Sequence, residues 1–178
     1  MKVEMLRHPT LEDWVEVKRR ALVTVGKTAV NPPTLEWSKS ILRARHSPIR
    51  YLQFSFYIEC PYWVSVHLCR HIHAQPYIQS QRNDRQDKYD RTKAPQDETV
   101  CMIWDMNAEE LMTIANKRLC NLASKETGEV VWQMCQLVLQ ENPEFVSELV
   151  PMCIANGGVC KEMKPCGKVY KFIPLEDM

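Results

Sequence analysis

Long hydrophobic runs are missing from this 178-residue chain. No apolar stretch approaches the roughly 20 residues needed to span a bilayer, so a membrane protein is not expected. The opening Met1-Lys2-Val3-Glu4-Met5 carries an early acid and leads into no extended apolar segment. A secretory leader is therefore not expected, and a cytoplasmic location is. An excess of either charge is missing too. Lys and Arg number 23 against 22 Asp and Glu, a net charge of +1, which argues against a protein that coats a polyanion. There is no internal repeat, no low-complexity segment and no Cys-x-x-Cys pair, the last of which removes the commonest redox motif. What remains, 45% hydrophobic and 25% charged residues, is the composition of a folded domain and excludes a disordered chain.

Cysteine, by contrast, is plentiful, with eight residues. Cys60, Cys69, Cys101, Cys120 and Cys135 fall in apolar segments, where a free thiol behaves as a small buried hydrophobe. Without a leader, reduced cysteines are expected rather than a disulfide framework. Cys153, Cys160 and Cys166 cluster in a tail rich in Gly, Pro and Cys. They offer three ligands where structural zinc takes four, so no metal is expected there.

Two hydrophobic periods alternate along the chain. Thr10 with Asp13 marks a helix start, and Leu11, Trp14, Val15, Lys18 and Leu22 share one side at helical spacing. Val25 to Pro33 reads as a loop, and Thr34 caps a second helix reaching about Ala44 with Leu35, Ser38, Ile41 and Leu42 inward. Leu52, Phe54, Phe56 and Ile58 then alternate with polar neighbours as a half-buried strand. Pro61 opens a helix that runs into Arg70-His71 and stops at Pro76. A polar stretch from Gln79 to Lys93 precedes a second strand, Val100 to Met106. Asn107 is a helix N-cap with Glu110 in the capping-box position, and Ser124 caps another helix through about Glu141. Pro143 separates a short last helix, Glu144 to Val150. The expected class is α+β: a small, mainly antiparallel sheet packed with helices in a single domain over 1–150, followed by a Cys-rich tail over 151–178.

The chemistry concentrates between His67 and Lys93. Arg70, Arg82, Arg85, Lys88, Arg91 and Lys93 alternate there with Asp84, Asp87 and Asp90. Such a run makes a self-compensating solvated loop, or it supplies the guanidinium forks that match the oxygens of a phosphate monoester. Arg70-His71-Ile72, seven residues, then Ser80 resembles the Arg-His-Arg-x7-Ser signature of the flavin-dependent thymidylate synthases. His46-Ser47-Pro48 leading into Phe54-Ser55-Phe56 is similar to that family's His-x-Ser/Thr-Pro segment and its following strand. Asn107-Ala108-x-Glu110-Leu111 resembles its Asn-Ala-Arg-Glu-Leu helix start, and Arg118-Leu119-Cys120-Asn121 the later Arg-bearing turn. The tail, with Pro151-x-Cys153, Gly158-x-Cys160 and Cys166-Gly167, resembles the C-terminus of one branch.

The resemblance implies a homotetramer, with active sites built from several subunits, that binds FAD. It implies reduction of the flavin by NADPH and transfer of a methylene from methylenetetrahydrofolate to dUMP, with no protein nucleophile on the pyrimidine. The cofactor then carries the hard chemistry while the protein orients and polarises. By position, Arg70, Ser80, Gln81, Arg82, Arg91 and Arg118 would hold dUMP, Arg118 also polarising the uracil as the catalytic residue. Ser47, Arg70, His71 and Asn107 would contact FAD. Neither nucleic acid nor membrane is an expected partner.

Several positions depart from the family pattern. Ile72 replaces the second signature Arg, Ile78 a Glu, Glu109 the Arg after Asn-Ala, and Thr113 a His or Asn one turn on, while Arg50 stands where a Glu is common. The opposed charge changes at Arg50 and Glu109 imply a reversed ion pair. Altered chemistry on the same nucleotide, such as hydroxymethylation, and a nucleotide-binding protein without catalysis are the alternatives these changes leave open.

Overall fold

The computed structural model describes residues 1–28, 31–85 and 89–167. Its sheet grows from two strands whose alternation buries one face. β2 (Gln53–Pro61) and β4 (Thr99–Asn107) pair antiparallel along their full length, from Gln53 opposite Asn107 to Pro61 opposite Thr99. Phe54, Phe56, Ile58, Met102, Trp104 and Met106 all point inward and are buried, because side chains two apart share a face. β1 (Lys2–Arg7) flanks β2 and β3 (Gln75–Ile78) flanks β4, both antiparallel, giving the order β1-β2-β4-β3. The α+β class with a small antiparallel sheet is therefore what the chain adopts.

Neither edge strand was expected. In β1 only Val3 and Met5 are apolar and inward-leaning, too short an alternation to stand out. β3 contains Pro76, read as a breaker; on an edge strand its missing N–H is tolerated.

Helices cover the buried face. α1 (Leu11–Val23) starts at Thr10 with a complete capping box to Asp13, and α2 (Leu35–Arg43) is capped by Thr34. Leu11 and Leu35, expected inside, are exposed: each is the first residue of its helix, and Trp14 and Val17, or Ile41 and Leu42, form the buried stripes. α3 (Tyr62–Leu68) ends before Arg70-His71, which lie in the turn that follows. α4 (Ala108–Arg118) is capped by Asn107 Oδ1 accepting from the Glu110 N–H, and α5 (Lys125–Glu141) by Ser124. The expected final helix is a 3-10 turn, Pro143–Phe145, continued by hydrogen-bonded turns to Leu149, and a short α6 (Met152–Ala155) opens the tail.

The tail packs on α4, where Lys117 and Glu162 approach to 3.5 Å. Cys120 joins Cys153, Cys160 and Cys166 around one pocket of about 230 Å³. Among the described residues no three metal-ligating side chains are set to hold an ion. Of the five cysteines expected to be buried, Cys60 and Cys135 are, and burial pushes the Cys135 thiol up to about 12. Cys69, Cys101 and Cys120 are only half-buried, and Cys101 Sγ lies 3.1 Å from the Tyr57 hydroxyl on the open face of the sheet. Among the described residues no helix is long and apolar enough to cross a membrane.

Candidate nucleotide and flavin site

The site is assembled at the C-terminal end of α4 and the turn after α3. Arg118, the last residue of α4, donates from Nε to His71 Nε2 at 2.9 Å and from Nη2 to the His67 carbonyl at 3.0 Å. Among the described residues no carboxylate lies within ion-pair distance of its guanidinium. Burial and the nearby Arg70 hold the Arg118 pKa below its ordinary value, yet a guanidinium stays charged at any working pH. Arg70 itself is exposed beside it. The result is a half-buried, oriented cation with a second cation at its mouth, an arrangement suited to an anionic ligand. Gly128 on α5 allows this packing: a Cβ there would stand 3.1 Å from the Arg118 carbonyl oxygen.

His71 is the hub of this corner. Its side chain is only 11% exposed, its Nδ1 lies 3.6 Å from Glu110 Oε1, and its ring tilts against Trp104 at 6.2 Å between centroids. Burial first and Arg118 second push its pKa down to about 4, so the ring is neutral near pH 7 and the contact with Glu110 is not an ion pair. Both ring nitrogens thus face groups of its own chain. Burial likewise raises the Glu110 pKa, a group expected only as a capping-box residue.

The other expected nucleotide contacts gather in the β3–β4 loop. The Ser80 hydroxyl accepts from the Arg82 N–H at 3.3 Å, and Asn83 Oδ1 accepts from the Arg91 N–H at 3.1 Å, folding the loop back on itself. Arg82 grips Asp84 through Nε at 2.9 Å and Nη2 at 2.6 Å. That bond, with a smaller contribution from Arg91, holds the Asp84 carboxyl below its usual range. Arg82 therefore holds that carboxylate directly, while Arg91 acts on it only through its charge. Gln81 Nε2 lies 3.5 Å from Glu98 Oε2, which also accepts from the Tyr89 hydroxyl at 2.6 Å. Lys88 and Asp87 lie outside the described residues.

The expected flavin contacts divide between two clefts. Ser47 lines one of about 530 Å³ with His46, Pro48 and Trp37. Asn107 lines another of about 480 Å³ with Arg50, His73, Glu109, Glu110 and Thr113. Arg50 Nε does donate to Glu109 Oε2, so the reversed pair inferred from two opposed charge changes forms within one chain. The segment bearing Ser47 and Arg50 is launched by Arg45, whose positive φ of 51° closes the end of α2. A non-glycine residue there carries about 1 kcal/mol of strain. Its guanidinium is held by Asn116 Oδ1 at 2.9 Å, and Asn116 Nδ2 donates to the carbonyls of Glu148 and Val150. Sequence reading missed Asn116, since nothing in a helical pattern separates a buried linking amide from a surface one.

Among the departures, Ile78 is explained by packing, as it lies against the core. Ile72 is 82% exposed and fills nothing. Thr113 donates to the Glu109 carbonyl one turn back.

The Arg50–Glu109 pair can be tested by charge exchange. Arg50→Glu and Glu109→Arg are each expected to lower FAD affinity or melting temperature, and the double exchange to recover most of the loss, read by thermal shift with and without FAD. Simple addition of the two effects would show that the contact is energetically idle, as exposed pairs often are.

This architecture has known counterparts. The fold is shared with flavin-dependent thymidylate synthase ThyX from Helicobacter pylori, solved with FAD and dUMP, at a TM-score of 0.69 and 15% identity, covering 84% of this chain and 100% of that one. It is shared also with the UMP/dUMP methylase PolB from Streptomyces cacaoi, solved with 5-Br dUMP, at a TM-score of 0.65 and 15% identity over 84% and 96% of the two chains. Residues 90–144 match the family model of the thymidylate synthase complementing protein. The matched span contains Arg91, Asn107, Glu110 and Arg118. The resemblance read from the motifs thus rests on a family match over just under a third of the chain and on the fold of nearly all of it. No curated protein matches in a sequence comparison.

Proposed function

We propose that the chain is an FAD-dependent enzyme of the thymidylate synthase type, acting on dUMP. The observation that carries this reading is Arg118: an oriented cation without a carboxylate partner among the described residues, at the end of the helix that the family model matches. The uracil would lie against it, so that charge developing on the ring meets a fixed guanidinium. The dUMP phosphate would take the place of Asp84 on Arg82, whose fork already holds a carboxylate, with the Arg91 charge acting on the same position. Ser80 and Gln81 would complete that contact, and Arg70 would meet nucleotide and flavin at their junction. The solved relatives support the substrate class, one having been captured with dUMP and the other with a brominated analogue.

The donor set of the polar cleft fits the flavin nucleotide. Asn107 spends only Oδ1 on capping α4, and its Nδ2 has no protein partner among the described residues. His73 and the Arg50 nitrogens not given to Glu109 would add donors in a cleft that Glu109 and Glu110 also line, and Ser47 would extend the contact from its own cleft. Bound FAD would supply the hydride that converts a transferred methylene into a methyl group. The remaining parts of the reading are methylenetetrahydrofolate as donor, NADPH as reductant, a homotetramer and a cytoplasmic location.

The test is a product assay with dUMP, methylenetetrahydrofolate, NADPH and FAD. dTMP with consumption of NADPH is expected. Hydroxymethyl-dUMP would redirect the assignment to altered chemistry, and dUMP binding without turnover would leave a binding protein. In the same preparation Arg82→Ala is expected to weaken dUMP binding about tenfold by calorimetry. An unchanged affinity would remove the β3–β4 loop from the site.

A further inference from the structure

We propose that His71 and Glu110 act as positioning residues for Arg118, Glu110 setting the imidazole tautomer that lets His71 accept from the guanidinium. This rests on the assignment of Arg118 to the nucleotide and departs from the cofactor-contact role that the motif resemblance assigns to His71.

The argument begins with proton positions. Arg118 Nε carries a hydrogen and can only donate, so His71 Nε2, 2.9 Å away, must present a lone pair. In a neutral imidazole the single proton is then on Nδ1, the atom facing the Glu110 carboxylate at 3.6 Å. Each member determines the next. The carboxylate favours the Nδ1–H form, that form exposes Nε2, and Nε2 together with the His67 carbonyl immobilises two of the three guanidinium nitrogens. The remaining nitrogen, without a hydrogen-bond partner among the described residues, would be left for a ligand. His71 in turn cannot tilt freely, since its ring lies on Trp104 of β4 and it follows the end of α3.

A doubly protonated His71 would point a second N–H at Arg118 and expel it. The charged and titratable groups around the ring are Arg118 and Glu110 from α4 and Arg70 beside them, with His73 acting on Glu110. Burial and the Arg118 cation oppose protonation of the ring, and the His71 pKa of about 4 follows from them in that order. The arrangement therefore keeps Arg118 seated through the physiological range and releases it only in acid.

Two experiments test this. The first needs neither ligand nor turnover: long-range ¹⁵N NMR of the imidazoles in the free protein. His71 is expected as the Nδ1–H tautomer with Nε2 unprotonated from pH 5 to 8, and Glu110→Gln is expected to give a mixture of tautomers. A wild-type His71 in the Nε2–H form, or protonated at pH 6, would overturn the proposal whatever the protein's activity. The second is a kinetic cycle. His71→Leu is expected to lower kcat by about tenfold to a hundredfold, with FAD binding retained and dUMP affinity within a few-fold. His71→Gln, which keeps an acceptor, should recover part of the loss. In an Arg118→Ala background His71→Leu should have little further effect, because it acts through a group already removed. Additive losses, or loss of FAD binding in His71→Leu whether or not Arg118 is present, would return His71 to a direct cofactor role. A wild-type protein that binds neither dUMP nor FAD would refute the proposed function, while the tautomer measurement would still decide whether the relay exists.

Discussion

Replacing Arg118 with alanine is expected to lower dUMP-dependent turnover by on the order of 10²–10³-fold, the usual consequence of removing one preorganised group aimed at developing charge. The expectation follows from how completely the side chain is committed before any ligand arrives. Its Nε and Nη2 are fixed by His71 and His67, and burial strips part of its water away. A cation held this way needs no reorganisation during the reaction and is worth more than the same charge in solvent. Arg118→Lys tests the geometry separately from the charge. Lysine keeps the cation but cannot donate to His71 and the His67 carbonyl from a planar fork, so it is expected to recover little. Single-turnover rates with dUMP, beside calorimetric dUMP affinities, measure both. Turnover within a few-fold of wild type in Arg118→Ala would remove this residue from the reaction.

The largest effect on stability is expected at Phe145. It is fully buried in the 3-10 turn after α5, meets the Phe54 ring edge-on at 5.5 Å and lies 6.2 Å from Trp14. One side chain therefore joins β2, α1 and the segment leading to the tail. The neighbouring Glu144 accepts from Trp14 Nε1 at 2.7 Å, so the surrounding backbone is pinned and cannot collapse into the space an alanine would leave. Phe145→Ala is expected to cost about 3–5 kcal/mol and to lower the melting temperature by roughly 6–20 °C. Ile72→Arg, at an exposed position that also restores the family signature, should melt within about a degree of wild type. Differential scanning calorimetry of the two variants checks the contrast. A Phe145→Ala protein melting like wild type would mean that the turn is not part of the core.

The two predictions draw on different levels of information. Local chemistry was enough for the inner strands and most helix starts. β2 and β4 are legible because strict alternation can satisfy only a half-buried strand. Thr10, Thr34, Asn107 and Ser124 are legible as caps because a short polar side chain answers an unpaired helical N–H. The motif residues were legible as a set of types in order, and the opposed charges at Arg50 and Glu109 were enough to infer a contact across 59 positions.

Tertiary structure alone decided the rest. The edge strands β1 and β3 exist because β2 and β4 offer them ladders, not because their own sequences insist on it. The sequence places His71 47 positions before Arg118, with nothing local to couple them. Only the crossing of the α3 turn with the end of α4 does so, and burial there with Arg118 alongside holds the imidazole neutral and makes Glu110 its neighbour. Likewise the β3–β4 loop had two readings as a string of charges. The fold pairs Arg82 with Asp84 and separates Ser47 from Asn107 into different clefts. Residue types and spacing specify which interactions a chain is able to make, whereas the value of a charge or a hydrogen bond depends on its neighbours and on the water excluded around it, and both are set only when distant segments pack.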